Sequence, residues 1–292
     1  MSAGIGARKL PELSEREFGQ FQRLIYAKAG IRLPDDKRTL VVARLARRMR
    51  ELALPSFGAY YRRVVAGVDD ELTRMLDAIT TNETQFFREA RQFELLAADC
   101  CGEWSAQADA GTRPRRLRVW SAACSTGEEP YSIAAVLHDK LSTDGWKLEI
   151  VASDLCTTAL ARAREGVWPV TRVETVPKPL LKRYFLRGVG PETGRAKIDP
   201  AIRALVDFRQ INLSDDRYPL TGTFDAVFCR NALIYFDAAS RAHVVSRLIE
   251  RLAPGGFLFL GHAESLVGTA HRLRSVMPAV YQLPPTTGSS AT

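Results

Sequence analysis

Histidine is scarce in this chain: four in 292 residues, with His138, His243, His262 and His271 forming no tight cluster. Histidine-ligated metal hydrolysis and Ser-His-Asp chemistry are therefore poor fits, and no metal site is expected. The five cysteines, Cys100, Cys101, Cys124, Cys156 and Cys229, are odd in number and show neither C-x-x-C nor Cys/His spacing. They read as reduced cytoplasmic thiols, not as a disulfide or zinc framework. No run nears the roughly 20 consecutive apolar residues of a membrane span. The opening MSAGIGARKLPELSERE has no apolar segment of signal-peptide type. The expectation is a cytoplasmic protein with no membrane insertion. Also missing are the glycine fingerprint G-x-G-x-x-G and the Walker loop, so a dinucleotide or nucleoside triphosphate site is not encoded.

What is present begins with 46% apolar residues, enough for well-packed cores. The length suits one large domain or two ordinary ones. There are 41 Lys+Arg against 33 Asp+Glu, a formal charge of +8. That balance favours an acidic partner, whether nucleic acid, membrane surface or acidic protein.

Residues 10–80 read as a helical domain. Ser14 with Glu17 makes a capping box, and Phe18, Phe21, Leu24 and Ile25 keep helical spacing until Gly30 stops it. Asp35–Asp36 open a second helix with Val41, Leu45, Met49 and Leu52 on its apolar face. Pro55–Ser56 lead into a third, and Asp69–Asp70 into a fourth. On the second helix, at about 100° per residue, Lys37, Arg44, Arg47 and Arg48 fall within roughly a third of the circumference. They form either a solvated face or a docking strip for an acidic partner.

Residues 81–105 read as a connector becoming a helix. From 106 to 284 strands alternate with helices, which implies a mostly parallel, doubly wound sheet. The strands are expected at Leu117–Ala122, Leu148–Ser153, Val206–Ile211, Ala226–Cys229, Phe257–Leu260 and near Ala279–Leu283. The helices are expected at Tyr131–Lys140, Thr157–Arg164 and Ser240–Leu252. Residues 178–205, with the turn-rich RGVGPETG, suggest a small hairpin insertion. The tail 285–292 is low in complexity and expected to be disordered.

The stretch VWSAACSTGEEPYS (Val119–Ser132) hands a buried strand over to a helix, at the sheet edge where ligands bind in open α/β folds. Its backbone amides and small residues allow close approach of a ligand. Glu128 and Glu129 would repel a pyrophosphate and suit a cationic ligand without phosphate, such as S-adenosylmethionine. The alternative is a plain capping box, Ser125/Glu128 or Thr126/Glu129. Asp154 ends the apolar strand LEIVASD, placed either to hold a ribose diol or to cap the helix before Thr157. Asn212 follows the strand VDFRQI and could meet an adenine edge, with Leu213 packing on the ring. Arg230 and Asn231 leave the end of another strand, and Tyr235 follows four residues later.

The motifs TNETQFFRE, VWSAACSTGEEPYS, ASD, INL, FCRNALIYFD and GHAES occur in this order over nearly the whole chain. Together they resemble the CheR-type chemotaxis receptor methyltransferases. The resemblance implies a Rossmann-like α/β methyltransferase domain carrying a small antiparallel β-subdomain, preceded by an all-α N-terminal domain. It implies an S-adenosylmethionine-dependent protein-glutamate O-methyltransferase, with S-adenosylhomocysteine as product. Asn82, Thr84, Arg88, Glu129, Asp154, Asn212, Leu213, Arg230 and Asn231 match the family pattern and would line the cofactor site. The basic helix would dock on the cytoplasmic methylation helices of chemoreceptors. The subdomain would be the part that in some members binds a peptide at the receptor C-terminus. A monomer is the default expectation, and no nucleic acid is expected as substrate.

Methyl transfer to a carboxylate needs no general base, because the nucleophile is already ionised at pH 7 with a reference pKa of about 4.3. The scarcity of histidine is then no obstacle. Arg88 is the candidate to steer the glutamate carboxylate or brace the cofactor. Tyr235 is either a hydrogen-bond donor near the methyl or a buried aromatic. Two rivals remain at this level. A nucleic-acid methyltransferase is allowed by charge, but NALIY lacks the two prolines of [DN]-P-P-[YFW]. A non-catalytic S-adenosylmethionine-sensing module is opposed by the intact Arg88 and Tyr235.

Overall fold

The computed structural model describes residues 12–266 and 271–285; the expected disordered tail lies almost wholly outside the described residues. The chain divides after Thr81 into two compact units. In the first, α1 (Glu15–Ala29) starts at the Ser14/Glu17 capping box, both of whose hydrogen bonds form, and stops at Gly30 with φ 67°. The acidic pair Asp35–Asp36 forms a single 3-10 turn, and α2 (Arg38–Glu51) begins after it. Lys37 therefore lies ahead of α2, not on it. Then follow α3 (Phe57–Val65), capped by the Ser56 hydroxyl, and α4 (Glu71–Ile79). The core is Phe21 against the rings of Phe57, Tyr60 and Tyr61, together with Val41, Leu45 and Met49 of α2.

The second unit opens with α5 (Ala90–Leu95), which runs through a π turn into α6 (Cys101–Asp109). Next come β1 (Arg116–Ser121), α7 (Glu128–Leu141), β2 (Lys147–Asp154), α8 (Thr157–Glu165), β3 (Val167–Pro169), α9 (Lys178–Tyr184), β4 (Phe185–Arg187), β5 (Arg195–Ile198) and α10 (Pro200–Arg203). The chain ends with β6 (Val206–Gln210), β7 (Phe224–Cys229), α11 (Ala238–Ile249), β8 (Leu252–Leu260), β9 (Arg274–Met277) and β10 (Val280–Gln282). The main sheet has the order β6-β2-β1-β7-β8-β10-β9. Its first five strands are parallel, while β10 runs antiparallel to β8 and β9. The chain winds outward from β1 through β2 to β6, then returns to the other side of β1 at β7. The switch point is thus between β1 and β7, and in open α/β sheets ligands bind at the carboxyl ends of the strands beside such a point.

Period-2 alternation assigns the side chains to two cores. Leu117, Val119, Ala226 and Phe228 face one core with α7, and Trp120, Ala122, Val227 and Cys229 face the other with α11. Across β7 and β8, Phe228 stacks on its register partner Phe259 with centroids 4.1 Å apart, worth about 1 kcal/mol beyond area burial.

Three boundaries differ from the sequence expectation. β8 starts at Leu252, because Pro254-Gly255-Gly256 is carried as an irregularity in the strand pairing with Gly255 at φ 77°, not as a loop. β9 has no apolar face to announce it, since its residues Arg274–Met277 are largely exposed. The small antiparallel sheet, order β3-β5-β4, takes its first strand from Val167–Pro169, outside the expected 178–205, and α9 lies within that range. A three-residue strand such as Val-Trp-Pro is too short to show alternation. Among the described residues no helix is long and apolar enough to cross a membrane, and no cluster of His, Cys, Asp and Glu could hold a metal ion.

Candidate functional site at the carboxyl edge of the sheet

The loop after β1 is tied to both neighbouring strands: the Ala122 amide donates to the Phe228 carbonyl at 2.7 Å and the Cys124 amide to the Ser153 carbonyl at 2.9 Å. Ser125 turns with φ 48° and Gly127 with φ 97°. A Cβ at residue 127 would stand 2.9 Å from the Ala163 Cβ of α8, so only glycine lets α7 start there. Gly127 is the N-cap of α7 and no side chain caps it. Neither capping box proposed from the sequence forms. Glu128 is fully buried, accepts from the Thr126 hydroxyl at 2.6 Å and pairs with Arg172 at 3.2 Å. Glu129 is 8% exposed and accepts from the Ser121 hydroxyl at 2.7 Å.

Arg230 leaves the end of β7 into a carboxylate clamp. Its guanidinium lies 3.1 Å from Glu129 and 3.1 Å from Glu89, donates to the Arg88 carbonyl, and sits 5.5 Å from the centroid of the Phe93 ring. Glu89 also accepts the His262 amide at 3.0 Å. The two acids divide one positive charge unequally. Burial pushes the Glu129 carboxyl above its ordinary range, against the opposing pull of Arg230 and Ser121. Burial acts on Glu89 in the same direction, but the His262 amide and Arg230 outweigh it and hold that carboxyl low.

Asp154, at the tip of β2, accepts the Ser125 amide at 2.8 Å and the Cys156 amide at 2.9 Å. The N-cap position of α8 is Cys156, and through these two amides Asp154 ties the β1 loop to the start of that helix. Asn82 joins this group through its carbonyl, which accepts from the Ser125 hydroxyl at 3.0 Å, and its amide, which meets Cys156 Sγ at 3.3 Å. Burial, reinforced by Asp154 and Glu129, pushes the Cys124 thiol far up, which removes it as a nucleophile.

Asn231 has φ 58°, and its backbone amide donates to Glu264 at 2.8 Å. Phe87, Glu89, Ser125 and Asn231 are all non-glycine residues in the left-handed region. Strain of this kind, roughly 1–2 kcal/mol for an ordinary residue, gathers at functional sites.

Asn212 turns its side-chain oxygen to the Ser214 amide and hydroxyl, at 3.1 and 2.8 Å. Leu213, 7% exposed, packs into the α11 core. Arg88 donates to the Glu83 carbonyl of its own connector at 3.3 Å. Thr84 and Tyr235 are half-buried. Among the described residues, Thr84, the Arg88 guanidinium, the Leu213 side chain and the Tyr235 hydroxyl make no hydrogen bond to the Asp154 or Arg230 groups.

Glu89 and Glu264 were not singled out from the sequence. Both stand inside quoted motifs, TNETQFFRE and GHAES, yet nothing in their spacing announces a buried acid.

In the helical unit the basic strip is not a free surface. Arg44 donates to the Ile79 and Thr80 carbonyls, the latter at 2.7 Å, and to Thr81 Oγ1 at 3.0 Å, so it closes the end of α4. Arg48 clamps the fully buried Glu71 with two bonds of 2.7 Å and reaches Glu51 at 3.0 Å. Only Lys37 and Arg47, with side chains 50% and 83% exposed, present charge to solvent. Helical projection alone does not show which arginines a neighbouring helix will consume.

A search against known families matches residues 16–80 to the CheR methyltransferase all-alpha domain and residues 82–281 to the CheR methyltransferase SAM binding domain. The chain is 42% identical over 268 residues to chemotaxis protein methyltransferase 2 of Pseudomonas aeruginosa, covering 92% of this chain and 93% of that protein. It is 39% identical to the chemotaxis protein methyltransferase of Salmonella typhimurium, covering 93% and 91% of the two chains, and 40% identical to that of Escherichia coli, covering 93% and 92%.

Proposed function

This chain belongs to the CheR methyltransferase family, and from that premise we propose that it transfers a methyl group from S-adenosylmethionine to glutamate side chains of chemotaxis receptors. The products are glutamate methyl esters and S-adenosylhomocysteine. The observation that carries the site reading is the carboxylate-rich edge itself. Glu89, Glu129 and Asp154 surround the switch point with one buried guanidinium among them. A formal excess of negative charge fits a sulfonium and an ammonium and disfavours phosphate. The Arg230 Nε is buried with no hydrogen-bond acceptor among the described residues, a donor suited to an acceptor on the bound group.

S-adenosylmethionine supplies an electrophilic methyl on a positively charged sulfur. Asp154 is assigned to the ribose diol, and Glu129, Arg230 and Asn231 to the amino-acid end. Asn82, Thr84, Asn212 and Leu213 are assigned to the remaining wall. Arg88 steers the substrate carboxylate, and Tyr235 donates a hydrogen bond near the transferred methyl. The protein's task is to align an oxygen that is already ionised and to exclude water, not to move a proton. Chemoreceptor methylation helices, met by Lys37 and Arg47, are the proposed partner. A receptor C-terminal peptide at the small β3-β5-β4 sheet is a second.

Radiolabelled methyl transfer to receptor-enriched membranes tests the reading, with a base-labile label expected for an ester. Label on nucleic acid instead, or cofactor binding without transfer, overturns it. Asp154→Ala is expected to abolish S-adenosylmethionine binding by calorimetry, and near-normal affinity would reject the ribose assignment.

A further inference from the structure

The motif GHAES, which begins where β8 ends, places one buried acid between two loops. Glu264 is 5% exposed, and both its oxygens are engaged twice by backbone amides. Oε2 accepts from Gly261 at 2.7 Å and Asn231 at 2.8 Å; Oε1 accepts from Leu233 at 2.7 Å and Ile234 at 3.3 Å. Three of these four donors belong to the loop after β7, immediately ahead of Tyr235. Buried amides of an irregular loop must find acceptors, and here one side chain supplies them.

The two loops are also fitted to each other sterically. A Cβ at Gly261 would stand 2.5 Å from the Asn231 Nδ2 and 2.9 Å from its backbone nitrogen. Held this way, the loop buries Leu233 completely and leaves Ile234 49% exposed with Tyr235 half-buried beside it. Among the described residues, the Tyr235 side chain has no hydrogen bond or ring contact of its own to fix it. Its position follows from the backbone before it.

We propose that Glu264 is the positioning residue for the loop that carries Asn231 and Tyr235, setting where the tyrosine stands during methyl transfer. The second half of this statement rests on the function proposed above. The first half is a property of the fold alone.

A glutamine tests it sharply. Because each oxygen faces two N–H donors, the amide group of Gln would turn its NH₂ toward donors in either orientation. Glu264→Gln in the full chain is expected to speed deuterium exchange at least tenfold over residues 231–235, while β7 and β8 amides keep their protection. In receptor methylation, kcat is expected to fall at least tenfold, with the KM for receptor changed less than threefold. The misplacement of one group by about 1 Å can cost a hundredfold in rate. In a Tyr235→Phe background the further loss is expected to shrink below threefold, the non-additivity of two residues acting as one unit. Glu264→Asp, which keeps the charge on a shorter arm, is expected to recover part of the lost kcat, and it serves for the exchange measurement if the Gln variant does not fold.

Unchanged exchange at 231–235 overturns the proposal. A full kcat loss retained in the Tyr235→Phe background overturns the route through the tyrosine. If the wild type transfers no methyl to receptor membranes, the proposed function fails, and exchange alone then decides whether Glu264 holds the loop.

Discussion

Each unit of this protein sets an arginine between two glutamates, and the two clusters allocate charge differently. In the helical unit Arg48 gives two bonds of 2.7 Å to one fully buried acid, Glu71, which the Tyr60 hydroxyl completes at 3.0 Å. The other acid, Glu51, is an exposed neighbour on the same helix. In the sheet unit Arg230 stands 3.1 Å from each of two acids on separate segments. Dedicated pairing satisfies one carboxylate and holds helices together. Shared pairing leaves the more buried acid, Glu129, under-compensated at the carboxyl edge of the sheet. The same residue types thus build a strut in one place and a polarised site in the other.

The largest expected effect comes from removing the shared cation. Arg230→Met leaves Glu129 and Glu89 without their partner, and the loss of a buried pair's counter-charge costs about 3–5 kcal/mol. Denaturant unfolding should show that loss in the sheet unit, with S-adenosylmethionine binding abolished by calorimetry. A variant as stable as the wild type would mean that the clamp is not shared as described. Arg48→Met removes the dedicated cation and should cost about 3 kcal/mol in the helical unit. It should leave cofactor affinity within twofold. Loss of affinity there would erase the distinction between strut and site.

Unequal sharing also predicts opposite pH slopes. Glu129 titrates above its unfolded value, so its contribution to stability is present below the ordinary carboxyl range and is lost as pH rises through the raised value. Glu89 titrates below it, so its contribution is present above that range and is lost as pH falls through the depressed value. The stability difference between wild type and Glu129→Gln should therefore shrink with rising pH across the acid range. The difference for Glu89→Gln should grow. Parallel slopes would show that Arg230 serves both acids equally.

The alternation of strands and helices was readable because β1, β2 and β7 are apolar runs bounded by turn residues. The edge was readable because Asp154 and Arg230–Asn231 stand where such runs end, while Glu129 lies in the helix start that follows β1. What was hidden depends on contacts between distant residues. Glu264 serves amides some 30 positions away in sequence, and Arg48 meets Glu71 across two helices. Local turn geometry was hidden too: Gly127 displaces both candidate capping boxes because α8 comes too close for any side chain.

The smallest effect on the fold is expected on the outer face of α2, where the two kinds of arginine can be told apart. Arg47 is 83% exposed and, among the described residues, bonds only its helical neighbour Glu51, a pair that solvent and salt largely screen. Arg47→Glu should leave the melting temperature unchanged and raise the receptor KM several-fold at low ionic strength. The penalty should fade as salt is added, while kcat and cofactor affinity stay at wild-type values. Arg44→Glu, by contrast, should lower the melting temperature, because that side chain closes α4 through the Ile79 and Thr80 carbonyls. If Arg47→Glu left the receptor KM untouched at every salt concentration, α2 would be a structural helix whose outer charge is merely solvated.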